Sequence, residues 1–231
     1  MGKKTKSQGL RERQTRDGGG RSINNKDAKR LDNSVKDVCG QIFEEIQKEY
    51  PTHKFTWEQS ISKEDIAKKA LGKAWRKYKP ESAGSTGPKP DGGIIYAFDG
   101  EGNKLPILIA EAKKQGTNNA RMGEGKKKQA RGNAIERAYK NVEEVKIFTR
   151  DLDYFPYVII AHGCDFEDGS SILDRLDALT KYHPRNKDYT LHRDQKTTVY
   201  IQEEEFKRQE IYKHLKGSVV KCIKHVSKRL S

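Results

Sequence analysis

Between Pro90 and Lys113 the chain runs through a Pro-Asp-Gly-Gly turn, an apolar run, a glycine-bearing turn, and a second apolar run that ends on Glu111-Ala112-Lys113. Ile94-Ile95-Tyr96-Ala97-Phe98 and Leu105-Pro106-Ile107-Leu108-Ile109-Ala110 have the β-branched and apolar make-up of strands, and Asp99-Gly100-Glu101-Gly102-Asn103 between them has hairpin turn chemistry. Folding back returns the chain to its start, so Asp91 is expected beside Glu111 and Lys113. Those two residues are two apart in a strand, so their side chains share a face while Ala112 turns to the other. Two carboxylates and an ammonium then meet at a sheet edge. Paired oxygen ligands suit a hard divalent cation such as Mg²⁺, which keeps several waters and takes one or two carboxylates plus substrate phosphate oxygens. A lysine beside it can hold or deprotonate an attacking water. A solvated hairpin with ordinary surface charges would be written with the same letters. The abrupt step from the apolar run to a charge pair favours a site, because such a pair is costly there unless it binds something.

Charge points to the substrate. With 47 Lys+Arg against 33 Asp+Glu the formal charge is +14, which predicts salt-sensitive binding to a phosphate backbone. An apolar fraction of 33% is low, yet 231 residues suffice for one sizeable core, so a single globular domain is expected. Cys39, Cys164 and Cys222 are far apart and form no CxxC pair, which reads as reduced cytosolic thiols. No apolar segment approaches a membrane span, and the basic N-terminus has no apolar h-region, so neither membrane insertion nor export is expected.

The rest of the chain supplies supporting elements. Residues 1–25 are rich in Lys, Arg, Gly and Ser, and read as a flexible basic arm, either for DNA phosphates or for solubility. Residues 26–231 form the expected domain. From Asp27 to Tyr50 the positions Leu31, Val35, Val38, Ile42, Phe43 and Ile46 recur at helical spacing, up to Pro51. Lys54-Phe55-Thr56-Trp57 reads as extended. Ser62, with Asp65 three residues on, caps a helix carrying Ile66, Ala70, Leu71 and Trp75. Lys79 to Lys89 is a loop. The segment at about 114–131 has basic residues among glycines and reads as a solvated loop or a DNA-contacting arm. Ile135, Ala138, Val142 and Val145 share a helical face, with Asn133 as cap and Glu136 at the third position. That asparagine could instead grip adenine N6 and N7, as arginine suits guanine. Tyr157-Val158-Ile159-Ile160-Ala161 is a buried strand, parallel to the hairpin's second strand through a right-handed crossover. Ile172 to Leu179 begins another helix. His162, His183 and His192 lie in or beside polar segments and read as surface residues. Thr197 to Ile201 is a late strand, and the chain beyond Glu203 forms one or two amphipathic helices, with Gly217 as a candidate break.

The pattern Pro90-Asp91 … Glu111-Ala112-Lys113 resembles the signature of the PD-(D/E)xK nucleases, which hydrolyse phosphodiesters with Mg²⁺. A narrower resemblance spans roughly Phe55 to Thr180. The strings Lys89-Pro90-Asp91-Gly92-Gly93-Ile94, Ala110-Glu111-Ala112-Lys113 with Gln115-Gly116, Gly132-Asn133-Ala134-Ile135-Glu136-Arg137, Phe155-Pro156-Tyr157-Val158 and Ile172-Leu173-Asp174-Arg175-Leu176-Asp177 are similar, in order and spacing, to the EcoRI and MunI family of type II restriction endonucleases.

That resemblance implies an α/β domain with a restriction-endonuclease-like mixed central sheet flanked by helices. It implies a homodimer in the prokaryotic cytoplasm that cuts a palindrome in double-stranded DNA with Mg²⁺ and leaves 5′ overhangs, with a cognate DNA methyltransferase protecting the host. Asp91, Glu111 and Lys113 take the catalytic positions; Asp91, Glu111 and the Ala112 backbone carbonyl hold the metal. Gly132, Asn133, Ala134, Glu136 and Arg137 take the role of reading an inner AATT. Two departures bear on the outer base pair. Arg131 stands where EcoRI has alanine, as in MunI, and favours CAATTG; Arg175 matches an EcoRI arginine, but Ala178 replaces a second one, leaving GAATTC and RAATTY open. A repair nuclease of the same fold is disfavoured by the Gly132 to Arg137 string, and a non-cleaving DNA-binding protein by the intact Asp91, Glu111 and Lys113.

Overall fold

Strands β2 (Gly93–Phe98) and β3 (Lys104–Lys114) form the expected antiparallel hairpin, with Ile94 opposite Ile109 and Gly93 opposite Ala110. Asp99 closes the turn between them: its Oδ1 accepts the backbone N–H groups of Glu101 and Asn103. Gly102 there adopts φ 82°, a conformation open to glycine and costly to most other residues. The computed structural model describes residues 20–76, 87–114, 141–142, 144–163, 188–190, 198–202 and 204–230.

Around this hairpin the sheet runs β1-β2-β3-β4-β6-β5, where β1 is Phe55–Glu58, β4 Tyr157–His162, β5 Asp188–Thr190 and β6 Thr198–Gln202. Strands β1, β2 and β3 are antiparallel neighbours, β3, β4 and β6 are parallel, and β5 returns antiparallel on the edge. The sheet is therefore mixed, and β4 is parallel to β3, as expected of a strand reached by a crossover.

Helices cover both faces. Helix α1 (Gly20–Glu49) and helix α3 (Arg208–Val226) bury Leu31, Val35, Val38, Ile42, Ile46, Ile211, Leu215 and Val219 against Leu108, Ala110, Ala112, Val158 and Ile160. On the opposite face, Ile66 of helix α2 (Lys63–Leu71) and Val142 and Val145, in the helical stretches at 141–142 and 144–148, pack on Ile94, Ile109, Tyr157 and Ile159. The alternation along β3 divides its side chains between these two cores. Ser62 caps α2 by accepting the Asp65 N–H at 3.0 Å.

Several expectations change. Helix α1 begins at Gly20, inside the segment read as a flexible arm, rather than at Asp27. Helix α2 ends at Leu71, with Ala70 and Leu71 exposed, and Trp75 lies in the 3₁₀ turn that follows. Helix α3 continues through Gly217, which faces solvent, because the apolar repeat on either side of it packs as one stripe. His162 is buried, at 2% exposure, and its Nδ1 accepts the Phe206 N–H; as the last residue of an apolar strand it stays inside the sheet, whereas polar neighbours in sequence suggested the surface. Strand β5 has no counterpart in the sequence reading. Cys39 and Cys222 are buried free thiols, each pushed up to about 12 by burial. Among the described residues, no helix is long and apolar enough to cross a membrane.

Candidate active site

Asp91 sits in a turn held from both sides. The Gly93 N–H bonds to the Pro90 carbonyl, the Gly92 N–H to the Ala110 carbonyl, and Trp57 Nε1 donates to the Gly92 carbonyl at 2.9 Å. A side chain at position 92 would stand 2.7 Å from Cys39 Sγ and 2.9 Å from Val35 Cγ1, so glycine is what lets α1 lie directly on this turn. Gly93 follows at φ 75°. These contacts fix Asp91 so that its Oδ2 accepts the Ala112 N–H at 3.0 Å and lies 3.7 Å from Lys113 Nζ.

The strand alternation read from Glu111-Ala112-Lys113 holds. Ala112 turns into the core under α1 and α3, while Glu111 and Lys113 share the opposite face. Lys113 Nζ pairs with Glu111 Oε1 and donates to the Ala112 carbonyl at 2.9 Å. Asp91, Glu111, Lys113 and the Ala112 carbonyl are thus assembled at the carboxyl end of β3. Glu111 is 3% exposed, and its Oε2 has no hydrogen-bond partner. Burial pushes the Glu111 carboxyl up to about 7. Lys113 opposes that shift and the charge of Asp91 adds to it, and the cost of leaving water outweighs the ion pair.

A third carboxyl belongs to this cluster. Asp32 of α1, one helical turn before Val35, is half-buried within electrostatic reach of Asp91 and Lys113. Burial first, and then Asp91, raises it to about 6 against the pull of Lys113. The sequence reading passed over Asp32, because an acid between apolar positions of an amphipathic helix reads as solvated. Only the packing of α1 on Gly92 brings it here.

The donor set fits a hard divalent cation. A carboxylate oxygen that is buried and unpaired is what a cation would satisfy, and Asp91 with the Ala112 carbonyl supplies further oxygens. No group of three His, Cys, Asp or Glu side chains able to hold a metal occurs among the described residues. Two carboxylates match an ion that completes its shell with water and phosphate oxygens. Arg131, Gly132, Asn133, Ala134, Glu136, Arg137 and Arg175, the residues expected to read DNA, lie outside the described residues, as does most of the arm expected at about 114–131.

Comparison with known proteins finds a family and two relatives. The sequence model of a family described as restriction endonuclease EcoRI matches residues 17–230. The type II restriction enzyme EcoRI of Escherichia coli is 34% identical over 183 residues, covering 66% of this chain and 64% of that protein. The type II restriction enzyme RsrI of Cereibacter sphaeroides is 33% identical over 173 residues, covering 69% of this chain and 61% of that protein. The chain thus matches a little over three fifths of the length of each relative.

Proposed function

The chain belongs to the EcoRI family of restriction endonucleases, and on that premise we propose that it is a type II restriction endonuclease, hydrolysing phosphodiester bonds of double-stranded DNA at an AATT-centred palindrome. The observation that carries this reading is the convergence of Asp91, Glu111 and Lys113 around a buried, unpaired carboxylate oxygen, in a chain of net charge +14. A surface ion pair would not need that burial.

In the proposed reaction Asp91, Glu111 and the Ala112 carbonyl would hold Mg²⁺. When bound, the ion supplies Lewis-acid withdrawal of charge from the scissile phosphate. Lys113 orients a water for in-line attack on phosphorus, from a position fixed by its bond to the Ala112 carbonyl. The bond from phosphorus to the 3′ oxygen breaks, the 3′ oxygen takes up a proton, and a 5′ phosphate remains. Asp91 is held by the Ala112 N–H, so its free oxygen keeps one direction through the reaction. Symmetric cuts on the 5′ side of the palindrome's centre in each strand would leave 5′ overhangs. A twofold homodimer, one site per strand, accounts for reading a palindrome. A cognate methyltransferase would protect the host.

Gly132, Asn133, Ala134, Glu136 and Arg137 are assigned to the inner AATT, and Arg131 to the outer pair, where its fork suits guanine O6 and N7. Arg175 remains a second candidate for that contact. The assignment favours CAATTG over GAATTC and RAATTY. A panel of duplexes carrying each AATT-centred hexamer tests it: CAATTG should be cut fastest, and Arg131→Ala should narrow its lead by about 1–3 kcal/mol of discrimination without moving the cut. If none of the hexamers is cut, the proposed specificity is wrong.

A further inference from the structure

Tyr157 is 1% exposed, and its hydroxyl has no hydrogen-bond partner. Among the described residues only three buried side-chain atoms are in that position: Thr56 Oγ1, Tyr157 OH and Glu111 Oε2. Two of the three belong to residues on one face of the sheet. Strand β4 pairs Tyr157 with Ile109 and Ile159 with Glu111, so Tyr157 and Glu111 are diagonal neighbours, and both project from the sheet face that carries Ile109 and Ile159. Their proximity registers electrostatically, since burial first, then Glu111 and then Asp91, raise the phenol well above its ordinary value. Asn141, next to buried Val142, is the polar group that favours the ionised phenol, without closing a bond of good geometry.

A buried polar atom left unpaired is costly and native structures keep few of them, so two on diagonal neighbours of one sheet face call for a partner. Neither bonds the other directly, and one water, which needs two or more polar partners, would serve both hydroxyl and carboxylate, with the Asn141 amide as a further partner. We propose that Tyr157 is a positioning residue for Glu111, donating through one buried water to Glu111 Oε2 and so fixing the carboxylate plane that faces the cation. A carboxylate offers about four lone-pair sites, so this bond leaves room for both Lys113 and a metal ion. Tyr157 itself touches neither substrate nor metal. The orienting role rests on the proposed function only in that the cation is the group Glu111 is oriented toward.

The test uses the full-length chain and Tyr157→Phe, which removes one oxygen and keeps the ring. The carboxyl ¹³C resonance of Glu111 in metal-free protein should move in Tyr157→Phe and stay in place in Tyr154→Phe, whose hydroxyl bonds the Pro106 carbonyl instead. Mn²⁺ titration of the same proteins should show binding about 10–100-fold weaker in Tyr157→Phe, with an unchanged circular dichroism spectrum. An unmoved Glu111 resonance overturns the proposal, and so does a moved resonance with unaltered Mn²⁺ affinity where Glu111→Ala does weaken binding. Should Glu111→Ala leave Mn²⁺ affinity untouched, the metal assignment fails instead, and the resonance alone decides whether Tyr157 orients Glu111.

Discussion

Glu111 ionises against its surroundings, which links the proposed function to stability at one residue. Its folded value of about 7 lies above the ordinary 4.5, so the folded state holds the proton more tightly than the unfolded chain does. The sign follows: stability contributed by the protonated form is complete below about pH 4.5, declines as pH rises, and is lost above about pH 7. The shift corresponds to about 3 kcal/mol. Glu111→Gln should therefore abolish cleavage yet raise unfolding stability at pH 8, with a gain that shrinks toward zero at pH 5; urea unfolding at both pH values checks this. Equal stability of the two proteins at pH 8 would contradict the burial argument. The convergence of Asp91, Glu111 and Lys113 was legible in the sequence because a hairpin register is set locally, by a turn and by alternation. Asp32 and Tyr157 reach the same place from α1 and β4, and nothing in their own neighbourhoods announces it.

Elements were legible where their periodicity was strong. The apolar spacing of α1, the Ser62 cap and the β2–β3 turn follow from residues within a few positions of one another. The misread features are those decided by distant contacts. Gly217 suggested a break, but the buried stripe of Ile211, Leu215, Val219 and Val226 holds α3 straight through it. Since Gly217 is exposed and a Cβ there would meet nothing within 4 Å, Gly217→Ala should stabilise the protein by about 0.5–1 kcal/mol, seen as a higher urea midpoint. Gly92 is the opposite case. A methyl group would press on Cys39 Sγ, on Ala110 Cβ at 2.8 Å and on Val35 Cγ1. Gly92→Ala should cost about 1–3 kcal/mol and depress cleavage further than the stability loss explains, because lifting α1 from the turn moves Asp91. Wild-type activity in a destabilised Gly92→Ala would show that this turn does not set the site.

At the scale of the whole molecule, a sheet with both faces buried carries its charged cluster at one end, where β3 leaves its apolar run. The mixed topology, antiparallel through the hairpin and parallel beyond β3, places the Glu111 strand in the interior of the sheet, where neighbours on both sides hold it. Net charge of +14 then draws a polyanion to the molecule without specifying its sequence. The central claim is that Asp91, Glu111 and Lys113 together hydrolyse DNA with a divalent cation at one kind of site. The most direct measurement is digestion of a supercoiled plasmid with and without Mg²⁺, by the wild type and by Asp91→Ala, Glu111→Ala and Lys113→Ala, with the ends sequenced. The account predicts discrete fragments from the wild type in Mg²⁺ alone, 5′ overhangs at AATT-centred sites, and no cutting by any of the three variants although they still bind the site. Smeared products, uncut DNA that is only shifted, or wild-type cutting by Asp91→Ala would contradict it.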